Sequence, residues 1–151
     1  MSQPPNAPLI QPYLFFNGRC EEAVEFYRGA LSAELLMLMR FSEAPDAPPA
    51  GMVPPGWENK VMHSAFRMGD AVLMASDGCG DSPVFAGFSI SLTLPTAAEV
   101  DRAFAALAEG GEVQMPLGET FWSPRFGMLK DRFGVAWMVQ LPQKEAPAQS
   151  H

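Results

Sequence analysis

Long apolar runs are missing from this sequence: no stretch approaches the roughly eighteen consecutive apolar residues of a membrane-crossing helix. The opening "MSQPPNAPLIQ" lacks both a basic start and an apolar stretch, so no secretory leader is expected and the default location is the cytoplasm. Positive charge is scarce as well. Against 17 Asp and Glu stand 10 Lys and Arg, for a formal net charge of −7. A phosphate-backbone binder carries a clustered basic face, so nucleic acid is not an expected partner. The acidic surplus reads as a solvated surface and identifies no partner. Only two cysteines occur, Cys20 and Cys79, and they fit no C-x-x-C spacing. That removes a zinc knuckle and a redox pair and leaves ordinary reduced thiols. Histidine is equally rare, and His63 is the only one outside the tail. With no nucleophile partner evident for it in sequence, no Ser–His–Asp or Cys–His arrangement can be built.

What is present describes a folded protein. At 151 residues, 48% hydrophobic and 18% charged, the chain suffices for one sizeable core or two small lobes. Two segments have helix grammar. In "RCEEAVEFYRGAL" (19–31), Ala23, Tyr27, Ala30 and Leu31 form a stripe, with Glu21 and Glu22 in the first turn and Asn17–Gly18 at the entry. In "PTAAEVDRAFAALAEGG", Thr96 and Glu99 have capping-box spacing, Val100, Ala103, Phe104 and Leu107 form the stripe, and Gly110–Gly111 ends it.

A strand pattern precedes each helix, at 10–16 and 88–94, and three follow it: 33–41, 60–68 and 70–77, then 111–121, 125–130 and 135–140. The chain therefore reads βαβββ twice, as modules over 10–77 and 87–141. The halves echo each other in residues too. "MGDAVLMAS" and "RFGVAWMVQ" each run from a Gly turn into a last strand, which sets Met74 level with Met138. A slip of one would move every side chain to the opposite face. Outside the repeat lie a Pro- and Gly-rich loop (42–59), a linker (78–86), and flexible termini at 1–9 and 142–151. Strand 88–94 alternates Phe88, Ile90, Leu92 and Leu94 with Ser89, Ser91 and Thr93. Small hydroxyls opposite an apolar row predict one face against a helix and one lining a cavity or facing solvent.

Two βαβββ units resemble the vicinal oxygen chelate superfamily of glyoxalase I, extradiol dioxygenases and bleomycin-resistance proteins. More narrowly, "PYLFFNGRCEEAVEFY", "FWSPRFGMLKDRFGVAWMV" and the His of "VMHSAF" are similar to its PhnB-like branch, also labelled 3-demethylubiquinone-9 3-methyltransferase-like, over residues 10–141. The resemblance implies an α+β fold in which each module curves into a half-barrel and the two form a cup. It also implies a homodimer, which would hide strand edges. Metal-using members place His, Gln or Glu on the first and last strands of both units, leaving two positions open for a substrate's adjacent oxygens. Carried over by position, those ligands would fall at Met74 and Met138 and near Gln11 and Ser89. A thioether binds hard divalent ions poorly, so the expectation is no cofactor, with a divalent metal at Gln11 and His63 as the weaker alternative.

The candidate site residues follow. His63, on a strand of the cup, stands as acid/base, hydrogen-bond donor or lone ligand against a structural histidine. Trp122, beside Phe121, and Arg125 stand at the rim, as a stacking and charge clamp for a planar or anionic ligand or as a pinned surface turn. Tyr13 and Phe15 share one strand face; Ser89 and Ser91 share another. Ten methionines, among them Met37, Met39, Met62, Met74 and Met138, read as core filler or as an adaptable pocket wall. The strand–helix junctions "FFNGRCEE" and "LTLPTAAE" supply no G-x-G cradle for a nucleotide cofactor, so nothing in the residues supports methyl transfer. The leading expectation is a metal-independent binder of a small, partly apolar molecule. The alternative is a lyase, isomerase or dioxygenase-type enzyme that is metal-dependent or assisted by His63. A purely structural module fits the polar row of strand 88–94 least well.

Overall fold

The computed structural model describes residues 9–45, 53–78 and 84–143. The expected flexible termini fall almost wholly outside these residues, as do Cys79 and His151. The described residues form eight strands and two α-helices, in the order β1 (Tyr13–Phe15), α1 (Cys20–Leu31), β2 (Glu34–Arg40), β3 (Val61–Met68), β4 (Ala71–Ser76), β5 (Ile90–Thr93), α2 (Ala97–Ala108), β6 (Glu112–Gly118), β7 (Phe126–Lys130) and β8 (Ala136–Gln140). This is the expected α+β fold of two βαβββ modules. The chain divides between residues 83 and 84 into two compact units. Each unit holds one four-stranded sheet, ordered β1-β4-β3-β2 in the first and β5-β8-β7-β6 in the second, and neither closes into a barrel.

In both units the first strand runs parallel to the last, and the other neighbours are antiparallel. β1 is shorter than its apolar pattern because Pro12 has no N–H for the ladder. Its carbonyl still accepts from Met74 N at 3.0 Å, and Phe16 N donates to Ser76 O at 2.9 Å. β5 likewise covers only part of 88–94 and leaves Ser89 just ahead of it.

The alternation of side chains puts every second residue under the helix. In the first unit Leu14, Phe16, Phe66, Leu73 and Ala75 are buried with Ala23, Val24 and Tyr27 of α1. Tyr27 stacks on Phe66 with ring centroids 5.8 Å apart. In the second, Leu129, Trp137 and Val139 are buried with Val100, Phe104 and Leu107 of α2. Gly127 lets that helix approach: a Cβ there would stand 2.7 Å from Phe104 Cε2. The α2 stripe is the one predicted; in α1 Ala23 and Tyr27 are buried as expected, but Cys20 and Val24 complete the buried stripe in place of Ala30 and Leu31, which are half-buried near the helix end.

Two buried aspartates knit the loops to these cores. Helix α1 has no side-chain cap at Arg19. Instead Asp77, just past β4, accepts from Gly18 N at 2.7 Å and Cys20 N at 2.8 Å through Oδ1, and from Val61 N at 2.8 Å through Oδ2. Asn17 and Gly18 both take left-handed backbone angles to present those N–H groups, φ 48° and 96°. In the second unit Asp131 accepts from Phe133 N and Val135 N through Oδ1 and from the Trp137 indole N–H at 2.9 Å through Oδ2. Helix α2 follows its sequence signal, with Thr96 Oγ1 accepting from Glu99 N.

Removing the Asp77 carboxylate strands three donors in the interior. Asp77→Ala should therefore lower the unfolding free energy by about 3 kcal/mol or more, whereas Asp70→Ala on an exposed turn should stay within about 0.5 kcal/mol, as read by urea denaturation. Cys20 is fully buried beneath α1, and desolvation pushes its thiol up to about 12 from an ordinary 9.0. The folded state thus holds its proton where the unfolded chain releases it. Cys20's contribution to stability should be complete below about pH 9 and fall as pH rises from there toward 12. At neutral pH the Cys20 peptide should resist iodoacetamide in folded protein and label only after denaturation, as checked by mass spectrometry.

Candidate functional site: the helix-free sheet faces

The same alternation that buries one face of each sheet leaves the other without a helix from its own unit. In the first unit that face is read off the ladder. One row is Tyr13, Met74, Ala65 and Met37, level across β1, β4, β3 and β2. Phe15 is level with Ser76, and His63 with Met39, one step along the same face. Met37, Met39, Met74, Tyr13, Phe15 and His63 are all half-buried or exposed, in contrast to their immediate neighbours Leu14, Ser64, Leu73 and Ala75.

The polar feature of this face is a contact between two rings. Tyr13 Oη lies 2.9 Å from His63 Nδ1. Since β4 lies between β1 and β3, the tyrosine reaches over it, with small Ala65 and Ser76 leaving room. Tyr13 also stacks on Phe15, with centroids 5.0 Å apart and planes 27° from parallel. Tyr13, Phe15, His63 and Met74 therefore converge on one surface, as the strand pattern allowed.

The second unit repeats the row with other chemistry: Ser91, Met138, Met128 and Met115. Met74 and Met138 occupy equivalent places, each on the last strand opposite the middle of the first. Their first-strand partners are Tyr13 and Ser91, two positions on from Gln11 and Ser89 but on the same face by strand period. Gln11 itself precedes β1 and is half-buried. Beside the row, Gln140 Nε2 donates to Ser91 Oγ at 3.2 Å and to Thr93 Oγ1 at 3.4 Å. Thr93 belongs to the hydroxyl row read from the sequence, whereas Gln140 was not among the candidate site residues, although it shares its strand face with Met138.

The stretch 121–125 divides. Trp122 packs edge-on over Phe126, 5.2 Å between centroids, and so lies over the helix-free face at the Gln140 end. Phe121 stands out at 87% exposure. Arg125, by contrast, alternates with Gly127 onto the helix side and pairs with Asp101 of α2. It is thus not beside Trp122 as a charge clamp; an acid one helix turn into α2 holds it instead.

A cavity of about 400 Å³ lies elsewhere in the first unit, lined by Gly18, Glu21, Arg40, Asn59, Lys60 and Asp77 among others. Its charges are already engaged. Arg40 forks onto Glu21, and that hydrogen bond holds the Glu21 carboxyl below its ordinary range. Lys60 Nζ donates to Gly18 O at 2.9 Å, and Asp77 is taken up by backbone. These groups brace the entry to α1. Among the described residues, no three or more His, Cys, Asp or Glu side chains gather as a metal group, and no helix is long and apolar enough to cross a membrane.

With this geometry in hand, likeness to known proteins can be placed. A solved structure of protein PA1353 from Pseudomonas aeruginosa is 46% identical and superposes with a TM-score of 0.79, covering 91% of this chain and 100% of that one. A putative 3-demethylubiquinone-9 3-methyltransferase, PhnB protein, from Bacillus cereus is 30% identical with a TM-score of 0.72, covering 87% and 98%. A glyoxylase/bleomycin resistance protein/dioxygenase domain from Frankia sp. EAN1pec shares the fold at 12% identity, with a TM-score of 0.64 and coverage of 90% and 98%. The sequence pattern of the family described as 3-demethylubiquinone-9 3-methyltransferase matches residues 8–140. The chain belongs to that PhnB-like family and carries the glyoxalase/bleomycin resistance fold.

Proposed function

We propose that the protein binds a small, partly apolar molecule on its helix-free sheet faces, without the metal quartet used elsewhere in its superfamily. The observation that carries this reading is the composition of the two equivalent rows. The positions level with one another on first and last strands hold Tyr13 and Met74 in one unit, Ser91 and Met138 in the other. Neither pair, a phenol beside a thioether or a hydroxyl beside a thioether, is a good donor set for a hard divalent ion, which takes carboxylate and imidazole. His63 sits a strand further in, with Nδ1 already engaged by Tyr13. The residues do not fit the metal.

They do fit an organic guest. Methionine side chains are unbranched and polarizable, so Met37, Met39 and Met74 on one unit's face, and separately Met115, Met128 and Met138 on the other's, can adapt to an irregular apolar outline. Tyr13, Phe15 and Trp122 add flat faces for a planar group. Ser91, Thr93 and Gln140 add neutral hydrogen-bonding capacity, and His63 a donor or acceptor. Retention or sensing of such a molecule in the cytoplasm accounts for these features without a catalytic step. The competing reading is turnover assisted by His63 as a lyase, isomerase or dioxygenase-type enzyme, and the feature that favours it is an imidazole whose Nε2 has no hydrogen-bond partner among the described residues.

A homodimer belongs to this proposal. β2 and β6 are outer strands, and Leu36, Met37, Val113 and Met115 on them are exposed. Covering such edges with a second copy removes both the apolar surface and the unpaired ladder groups.

Protein purified without chelators or nickel resin should hold clearly less than one metal per chain by elemental analysis. In a thermal-shift screen of small aromatic and antibiotic-like compounds, a binder should raise the melting temperature by about 5 °C at about one hundred times its Kd. His63→Ala and Met74→Glu should each shrink that shift. Stoichiometric metal, or chemical conversion of the bound compound, would sink the binding-only reading in favour of the enzyme.

A further inference from the structure

We infer that Tyr13 fixes the tautomer of His63, so that the neutral imidazole meets a ligand as a hydrogen-bond donor through Nε2–H and not as a base. This deepens the binding function proposed above and rests on it for the ligand. The tautomer itself is a property of the empty protein.

The argument starts with which atom donates across the 2.9 Å between Tyr13 Oη and His63 Nδ1. A phenol is a strong O–H donor and a weak acceptor, because its lone pair is delocalised into the ring. The bare nitrogen of a neutral imidazole is the reverse, a strong acceptor. With Tyr13 donating, both groups use their better halves. In the opposite arrangement the phenolic proton would have only solvent to donate to, since among the described residues Tyr13 makes no other hydrogen bond, and the better donor–acceptor match would be lost. The phenol therefore donates, Nδ1 is the bare nitrogen, and the proton sits on Nε2.

The surroundings hold the pair in place. Tyr13 is stacked on Phe15 at 5.0 Å, and its own ring centre lies 5.6 Å from that of His63. His63 stands on β3, which is paired on both sides, with Met39 level with it on β2. Nε2 has no hydrogen-bond partner among the described residues. An N–H on a face otherwise lined by thioethers and aromatic carbon selects a guest bearing an acceptor oxygen, such as a carbonyl, carboxylate or phenolate. It also disfavours His63 as a base, since in the preferred tautomer Nε2 already carries its proton and Nδ1 is occupied. In a partly exposed setting one such hydrogen bond is worth about 1 kcal/mol, or about fivefold in the tautomer ratio.

The test needs no ligand. In the 15N-labelled full-length protein at about pH 8.5, above the ordinary imidazole range, long-range proton–nitrogen correlation spectra separate the protonated from the bare ring nitrogen. His63→Gln assigns the signals against those of His151. Wild type should show protonated Nε2 and bare Nδ1, and Tyr13→Phe should raise the share of the Nδ1–H form about fivefold with backbone amide signals otherwise unmoved. Protonated Nδ1 in wild type overturns the inference on its own, even if the variant misfolds; an unchanged ratio in a folded Tyr13→Phe overturns it equally. Benzoate added afterwards should shift the Nε2–H proton in wild type. If benzoate and neutral aromatic probes leave every sheet-face signal in place while the tautomer is as stated, the ligand-binding function fails and the tautomer stands.

Discussion

Each unit of this protein has one helix for two sheet faces. That imbalance governs everything else. α1 and α2 each bury a stripe of four residues, enough to cover one side of four short strands. Burial of Tyr27, Phe66 and Leu73 in one unit and Leu107, Trp137 and Val139 in the other supplies the apolar driving force. Because strand side chains alternate, the residues that satisfy the helix face dictate by elimination which ones stand on the other. Met74 faces away from α1 because Leu73 and Ala75 face it, and Met138 does so because Trp137 and Val139 are buried.

The internal repeat separates what packing fixes from what it leaves free. The ladder makes Tyr13 equivalent to Ser91, Met74 to Met138, Ala65 to Met128, Met37 to Met115, and His63 to Phe126. The helix-facing sides of both units are mainly apolar, with buried Ser64 the polar exception in the first, satisfied by Ala75 O. On the other sides the polar groups differ: a phenol–imidazole pair in one unit, an amide bonded to two hydroxyls in the other. Only methionine at the row's centre and edge is common to both. Side chains that must interdigitate with a helix tolerate little change in volume, whereas a face with no helix tolerates a good deal.

The fold was readable in the sequence because hydrophobic period reports burial directly. α1 matched the segment 19–31 to within a residue, α2 began directly after Thr96, and the repeat gave the order of strands along the chain. Two signals gave the wrong detail. Pro12 trimmed β1, and Arg125, adjacent in sequence to an aromatic pair, alternated away from Trp122 to Asp101. Adjacent strand residues point oppositely, so a motif read as one cluster was two. Asp77 was not visible at all as the cap of α1. Its partners Gly18, Cys20 and Val61 lie 16 to 59 residues away, and no local spacing announces a carboxylate that bonds backbone across that distance. The Tyr13–His63 contact, 50 residues apart, was hidden for the same reason, while each residue separately could be placed on the right face.

These placements bear on how such a surface could choose its guest. Thioether and aromatic walls reward any apolar outline of about the right size, and each methylene gained or lost changes binding only modestly. A polar group held in fixed geometry discriminates far more, since a guest that leaves it unpaired forfeits that group's solvation without return. In a chain with 17 acidic residues, buried Asp77 is taken up by backbone N–H groups, buried Asp131 by backbone and the Trp137 indole, and the Arg125 guanidinium by Asp101. Under the proposed function, selectivity on each methionine row would fall to its polar groups, Gln140 with its two hydroxyls in one unit and His63 with its tyrosine in the other. A surface built this way distinguishes guests by where their oxygens lie more than by how much apolar area they bury.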